Sequence, residues 1–217
     1  MTLADKVTSS RLIIAPVFFV VFLLHRFFPS VFSLSPALYD SVSYIGVTWT
    51  VPVLWVLFIV SEISDMLDGM IARKRGEVSD FGKLYDPFAD TLTQITFFFC
   101  FVIDGIFSPL LFLAVLYREF SILFVRNLML KKGVALGARI AGKIKTVTYI
   151  AAGALALLAS SVLRLGLDNK IYSGLTIAAS VVFIISVIIA VISFFDYILI
   201  YNKTPAKKSE ASDQKNA

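Results

Sequence analysis

Five aspartates fall within residues 64–90, SDMLDGMIARKRGEVSDFGKLYDPFAD, beside some of the most apolar sequence in the chain. Asp65 and Asp68 are three residues apart, so on a helix they share one face, and Asp86 and Asp90, four apart, do the same. The short link between the two pairs predicts neighbouring antiparallel helices, on which the four carboxylates converge. Ionisable residues in an apolar setting are costly, and this marks the four as candidates for function.

The chemistry of these side chains predicts a site for hard divalent cations. Converging carboxylates repel one another, and two divalent cations would neutralise four such charges. The single cysteine, Cys100, and the single histidine, His25, both lie in or beside apolar runs away from the aspartates. Oxygen-only ligands favour Mg²⁺ or Mn²⁺, and Mg²⁺ in proteins is commonly shared between carboxylates and substrate phosphates. We therefore expect a ligand that carries phosphoryl groups.

Small residues and an arginine surround the acidic pairs. Gly69 follows Asp68, Ala72 lies one turn further on, and Gly82 opens the next helix. Minimal side chains let a ligand approach the backbone. Arg73 can offer a planar guanidinium to a phosphate. The combination predicts a site for a nucleotide diphosphate.

The whole chain has the composition of an integral membrane protein. It has 217 residues, of which 58% are hydrophobic, and a mean hydropathy of +0.85, well above a soluble domain. At about 20 residues per spanning helix, the apolar runs predict an all-α fold with six transmembrane helices and no separate soluble domain. We expect a single catalytic domain over 1–202, a polar, disordered tail over 203–217, and an external loop or interfacial helix over 29–47. The predicted spans are 11–28, 48–71, 83–103, 109–130, 144–164 and 173–200.

Basic residues set the predicted orientation. Six spans place both termini on one side, and most Lys and Arg residues fall on that side, which the positive-inside rule makes cytoplasmic. The acidic stretch 64–90 is then also cytoplasmic. The basic residues on this side are Lys6, Arg11, Arg73, Lys74, Arg75, Lys83, Lys131, Lys132, Arg139, Lys143, Lys145, Lys203, Lys207, Lys208 and Lys215.

A second region with possible chemistry is residues 117–146. Arg118 and Arg126 are eight residues apart, so they share roughly one face of the predicted fourth span, and arginines within a span must face protein or a polar cavity. Lys143 and Lys145 open the fifth span on the same side. Together these cations could hold a second anion, although Arg118 and Arg126 could instead snorkel to the interface or pair with acids such as Glu119.

The acidic pattern resembles the complete signature of the CDP-alcohol phosphotransferase family. Asp65-x-x-Asp68-Gly69-x-x-Ala72-Arg73, eight residues, then Gly82-x-x-x-Asp86-x-x-x-Asp90 fills every fixed position. The resemblance implies a six-helix membrane enzyme, often a homodimer, in which an alcohol displaces CMP from a CDP-linked donor. It implies Asp65, Asp68, Asp86 and Asp90 at the metals, Asp90 also as general base, and a border of the CDP moiety formed by Gly69, Ala72, Arg73 and Gly82.

Further motifs are similar to one branch of that family. They are Asp86-Pro87-Phe88-Ala89-Asp90, Arg118-Glu119 with Arg126, Gly142-Lys143-Ile144-Lys145-Thr146, and Lys6-Val7-Thr8-Ser9-Ser10-Arg11 followed by Pro16. The branch implies CDP-diacylglycerol as donor and glycerol 3-phosphate as acceptor, with Arg118, Arg126 and Lys143 on the acceptor's phosphate. It also implies a bacterial-type cytoplasmic membrane, contact with membrane lipids and no nucleic-acid partner.

Three other functions share features with this pattern. The branch usually has Lys after the last aspartate where this chain has Thr91, which keeps transfer from CDP-choline or CDP-ethanolamine to diacylglycerol as the alternative. A divalent-cation transporter would place acids from several spans near mid-membrane, and a membrane prenyltransferase resembles a longer chain with two distant acidic motifs. A single compact motif at one end of the helices favours neither.

Overall fold

The computed structural model describes residues 3–27, 49–75, 82–132 and 140–203. Its description of side chains covers these ranges except 3–7, 25–27, 66–75, 83–84, 131 and 140–141. Across the described ranges the chain forms six helices and no strand, which confirms the predicted all-α fold. The helices are α1 (Leu3–Phe27), α2 (Thr50–Arg75), α3 (Gly82–Ile103), α4 (Pro109–Lys131), α5 (Ile140–Arg164) and α6 (Asn169–Lys203).

Each predicted apolar segment corresponds to one helix, but several helices are longer than the apolar run. The first helix begins at Leu3 rather than at residue 11, α2 continues to Arg75, and α5 begins at Ile140. Backbone hydrogen bonding extends a helix into polar sequence where hydropathy has already fallen. The predicted segment 29–47 and nearly all of the predicted tail, from residue 204, lie outside the described residues.

Two tight turns connect consecutive helices into antiparallel pairs. Gly105, between α3 and α4, has φ +74°, and Gly166, between α5 and α6, has φ +64°. Both values lie in the left-handed region, which glycine adopts without a steric penalty and which commonly ends a helix. The turns keep α3 beside α4 and α5 beside α6.

An aromatic core joins the helices. The ring of Phe97 in α3 lies 4.4 Å from Phe18 of α1 and 5.4 Å from Phe58 of α2, measured between centroids. Helix α5 comes close to this cluster at Gly153, where an added Cβ would be 3.2 Å from the Phe58 ring. The Trp55 indole also donates a hydrogen bond of 3.0 Å to Ser161 Oγ in α5. These contacts fix α1, α2, α3 and α5 relative to one another.

A buried ion pair lies at the α3–α4 turn. Asp104 Oδ2 accepts hydrogen bonds from Ser160 Oγ (2.6 Å) and Arg164 Nη2 (3.3 Å) of α5. The Arg164 guanidinium also lies 4.1 Å from the centre of the Phe22 ring. The Asp104 and Arg164 side chains are only 3% and 4% exposed. We call Asp104, Ser160, Arg164 and Phe22 the Asp104 network. Its contacts hold α1 and α5 against the turn between α3 and α4.

Two of the described helices are long and apolar enough to cross a membrane by length and composition. They are the segments Gly142–Arg164 and Asn169–Lys203, and a shorter apolar stretch covers Thr8–Leu24. More than half of the surface of Ile177, Ile192 and Phe195 in α6 is exposed. A soluble protein rarely exposes such a face, so these helices are consistent with a membrane protein.

Candidate active site

Helix α1 packs against both α2 and α3, and Arg11 of α1 contacts an acid from each. Its Nη1 atom forms an ion pair with Asp65 Oδ1 of α2 and lies 3.9 Å from Asp90 Oδ1 of α3. The arginine side chain is 2% exposed, whereas the two aspartates are 40% and 42% exposed. Two of the four carboxylates predicted to converge, Asp65 of α2 and Asp90 of α3, therefore lie near one cationic atom and remain accessible.

The start of α3 is fixed by hydroxyl groups of α1. Thr8 Oγ1 donates a hydrogen bond of 2.9 Å to Asp86 Oδ1, and Ser9 Oγ lies 3.0 Å from the Tyr85 hydroxyl. Asp86 precedes Asp90 by one turn, so the same contacts orient the segment of α3 that carries both acids.

The donor set fits a hard divalent cation. Asp65 and Asp90 approach the same positive atom, and their ligating atoms are carboxylate oxygens. Among the side chains that the structure describes, no three acidic, histidine or cysteine residues form a group that could hold a metal ion. The predicted ligand Asp68 lies outside that set. Gly69, Ala72 and Arg73 follow Asp68 in α2 and also lie outside the described side chains, and Gly82 is buried at the start of α3.

A cavity of about 150 Å³ opens on another side of Asp90. Arg118, Arg126 and Lys143, the three residues predicted to hold a second anion, all line it. Asp90 also lines a much smaller cavity, of about 10 Å³, together with Arg11, Glu62 and Asp65. Asp90 therefore lines two cavities: the small one, which we call the acidic cluster, with Arg11, Glu62 and Asp65, and the larger one, which we call the basic cavity, with Arg118, Arg126 and Lys143. The remaining residues around the larger cavity are Pro87, Thr91, Glu119, Ile122, Leu123, Gly142, Lys145, Thr146 and Tyr197.

The basic side chains around the larger cavity have different partners. Arg118 donates from Nε to the Ala190 carbonyl (3.0 Å) and from Nη1 to Glu119 (2.8 Å). Lys145 Nζ donates to both oxygens of Glu119, at 3.1 and 3.2 Å. Arg126 Nε, by contrast, is buried without a hydrogen-bond partner among the described residues, and Lys143 is exposed. Among the described residues, Arg118 and Lys145 are thus held by protein partners, whereas Arg126 Nε and the exposed Lys143 could donate to a ligand.

Sequence reasoning missed several residues of this site. Glu62 could have been found, because it precedes Asp65 by three residues and shares its helix face. Arg11 was predicted to be a cytoplasmic charge and part of a motif, but not a contact of the aspartates, although a charge at the start of an apolar helix is itself a signal. The Tyr197 ring lies 5.7 Å from the Arg126 guanidinium. Tyr197 is in α6, 71 residues after Arg126 in the sequence. No local pattern indicates that contact.

The fold and site define an all-helical protein in which acids from two helices meet a basic cavity at a shared aspartate. Residues 1–193 match the model of the CDP-alcohol phosphatidyltransferase family, and the chain belongs to this family. The match covers all six helices up to the last turns of α6.

Individual relatives carry one shared description. A CDP-diacylglycerol–glycerol-3-phosphate 3-phosphatidyltransferase of Treponema pallidum is 34% identical over 200 residues, covering 91% of this chain and 88% of the relative. A protein of the same description from Bacillus subtilis is 33% identical over 97 residues, covering 45% and 50% of the two chains. One from Rickettsia felis is 28% identical over 142 residues, covering 65% and 75%.

Proposed function

We propose that this protein transfers a phosphatidyl group from CDP-diacylglycerol to sn-glycerol 3-phosphate, releasing CMP and forming phosphatidylglycerophosphate. Membership of the family and the shared description of the relatives support the reaction. The observation that carries the choice of acceptor is the position of Asp90, which lines both the acidic cluster and the cavity containing Arg118, Arg126 and Lys143. An acceptor with a phosphate at one end and a hydroxyl at the other fits that arrangement.

In the proposed reaction Asp90 is the general base. Its carboxylate takes the proton from the acceptor's hydroxyl, and the hydroxyl oxygen forms a bond to the phosphorus that carries the diacylglycerol. The bond between that phosphorus and the bridging oxygen of the diphosphate breaks, and CMP leaves with the electron pair. Arg118, Arg126 and Lys143 bind the acceptor's phosphate and so hold its hydroxyl beside Asp90, which converts an encounter in solution into a reaction between fixed groups.

The proposed metal ligands are Asp65, Asp68, Asp86 and Asp90. When bound, Mg²⁺ or Mn²⁺, as a pair of ions, would neutralise the charge of the donor's diphosphate and of the leaving CMP. Arg11 contacts two of these carboxylates already, which supports a site built to hold positive charge. Gly69, Ala72, Arg73 and Gly82 would border the CDP moiety.

The proposed setting is a cytoplasmic membrane that the six helices cross, with both termini and the site on the cytoplasmic side. The catalytic domain comprises residues 1–202, followed by a tail over 203–217, and the enzyme acts as a homodimer among membrane lipids. A lipid-linked donor would then reach the site from within the bilayer, while a water-soluble acceptor arrives from the cytosol. The excess of Lys and Arg on one side supports this orientation.

The reaction is tested by CMP release from the purified protein in detergent with Mg²⁺. One mixture contains CDP-diacylglycerol and glycerol 3-phosphate, and a second contains CDP-choline and diacylglycerol. We expect release only in the first mixture, and loss of that release after chelation of the metal, with recovery on adding Mg²⁺ or Mn²⁺. Release only in the second mixture would overturn the proposed acceptor and donor, and would indicate that Thr91 marks a different specificity.

A further inference from the structure

Glu119 is an acid among the cations of the larger cavity. Its carboxylate accepts hydrogen bonds from Arg118 of the same helix and from Lys145 of α5. The side chains of Glu119, Arg118 and Lys145 are 6%, 6% and 9% exposed. Buried charges of this kind are retained only where partners satisfy them. The three residues therefore form one connected unit in the wall of the cavity.

The contacts of this unit leave its cations little freedom. Arg118 is held at Nε by the Ala190 carbonyl of α6 and at Nη1 by Glu119. Lys145 is held by both carboxylate oxygens, and its Nζ also lies 4.6 Å from the centre of the Tyr149 ring. Lysine and arginine side chains are long and lose much rotamer freedom when fixed. An acid that fixes both before a ligand arrives lowers the cost of ordering them on binding.

The same unit lies next to Asp90. Asp90, Glu119 and Lys145 line one cavity, and Glu119 is the acid that receives the Lys145 ammonium. A lysine released from Glu119 would be drawn to the remaining carboxylate of the cavity, because opposite charges attract strongly where water is scarce. Asp90 would then be paired with an ammonium instead of facing the acceptor's hydroxyl.

We propose that Glu119 is a positioning residue that fixes Arg118 and Lys145, so that the cavity presents an ordered set of cations to the acceptor's phosphate and leaves Asp90 available to its hydroxyl. The inference rests on the proposed function, since it concerns the same acceptor. A carboxylate repels an anionic acceptor, so its presence in this cavity needs another reason. Fixing the two cations supplies that reason.

The test compares Glu119→Gln and Glu119→Asp with the wild-type protein in the CMP-release assay. For Glu119→Gln we expect the KM for glycerol 3-phosphate to rise about tenfold and kcat to fall, while the KM for CDP-diacylglycerol stays within about twofold of wild type. Glu119→Asp keeps the charge but shortens the side chain by one methylene, so its acceptor KM should lie between those of wild type and Glu119→Gln. The matched control is Asp104→Asn, which removes an acid from a buried ion pair away from the cavity and should lower the melting temperature without changing either KM.

An acceptor KM for Glu119→Gln that is unchanged or lower than wild type would overturn the inference, as would equal increases in the acceptor and donor KM. If Glu119→Gln does not fold, Glu119→Asp decides the matter: a higher acceptor KM at unchanged donor KM supports the inference, and two unchanged values contradict it. Failure of the proposed function would look different, because the wild-type protein itself would then release no CMP with glycerol 3-phosphate.

Discussion

Two buried ion networks in this protein differ in their balance of charge. Among the described residues, the Asp104 network pairs one acid with one arginine, and the Ser160 hydroxyl and the Phe22 ring contact the pair. The wall of the larger cavity instead carries four basic side chains, Arg118, Arg126, Lys143 and Lys145, against two acids, Asp90 and Glu119. The first network satisfies its own charges, whereas the second keeps an excess of positive charge around open space.

This difference separates a structural role from a binding role. A closed, balanced pair has neither room nor charge for a ligand, and its removal should weaken the fold. An excess of cations facing a cavity attracts an anion and raises its local concentration. The buried Nε of Arg126, which has no hydrogen-bond partner among the described residues, supports the same interpretation. Burial of charge alone does not indicate a binding site, whereas an excess of one charge beside a cavity favours one.

The largest effect is expected at the aspartate shared by the two cavities. Asp90→Asn keeps the shape of the side chain but removes the base, and turnover should fall by about 10²- to 10⁴-fold. Donor binding should remain largely intact, measured as retention of CDP-diacylglycerol by the purified variant. Full activity in this variant would rule out Asp90 as the base.

A stability effect should follow from opening the balanced network. Asp104→Asn removes the carboxylate that the buried Arg164 guanidinium contacts, and breaking a buried ion pair costs about 3–5 kcal/mol in soluble proteins. The melting temperature of the detergent-solubilised protein measures the loss. At a temperature where the variant is folded, its KM values should equal those of wild type. A changed acceptor KM would show that the two networks are not independent.

A smaller effect is expected for the cations of the cavity. Arg126→Ala and Arg118→Ala each remove charge-assisted hydrogen bonds, so the acceptor KM should rise about tenfold to a hundredfold, far more than the donor KM. The control is Lys132→Ala, since Lys132 instead lies over the Tyr201 ring at 3.7 Å and donates to the Tyr201 carbonyl. Equal changes in the acceptor and donor KM would argue against a separate phosphate site.

The helices and their shared faces could be predicted from the sequence. Hydropathy located all six helices, because each apolar run is longer than a turn and is bounded by charges or glycine. The helical spacing of Asp65, Asp86, Asp90, Arg118 and Arg126 predicted shared faces, because a helix repeats every 3.6 residues. These are local properties. In the structure Asp65 and Asp90 line one cavity, and Asp90, Arg118 and Arg126 line the other.

Contacts between distant segments were not predictable in this way. The pairing of Glu119 with Lys145 joins α4 to α5, and Arg11 reaches Asp65 across 54 residues of sequence. The contacts of the Asp104 network depend on how α1, α3 and α5 pack together, and no single segment of sequence determines that packing. Charge signs and helix faces can be predicted from sequence, but which acid satisfies which base depends on packing.

The central claim is that the basic cavity selects an acceptor by its phosphate. The most direct measurement compares glycerol 3-phosphate with glycerol as acceptor, at saturating CDP-diacylglycerol and Mg²⁺, by the rate of CMP release from the wild-type protein. We predict a kcat/KM for glycerol 3-phosphate at least about a hundredfold higher, because only this acceptor pairs with Arg126 and the neighbouring cations. Equal values for the two acceptors would contradict the claim.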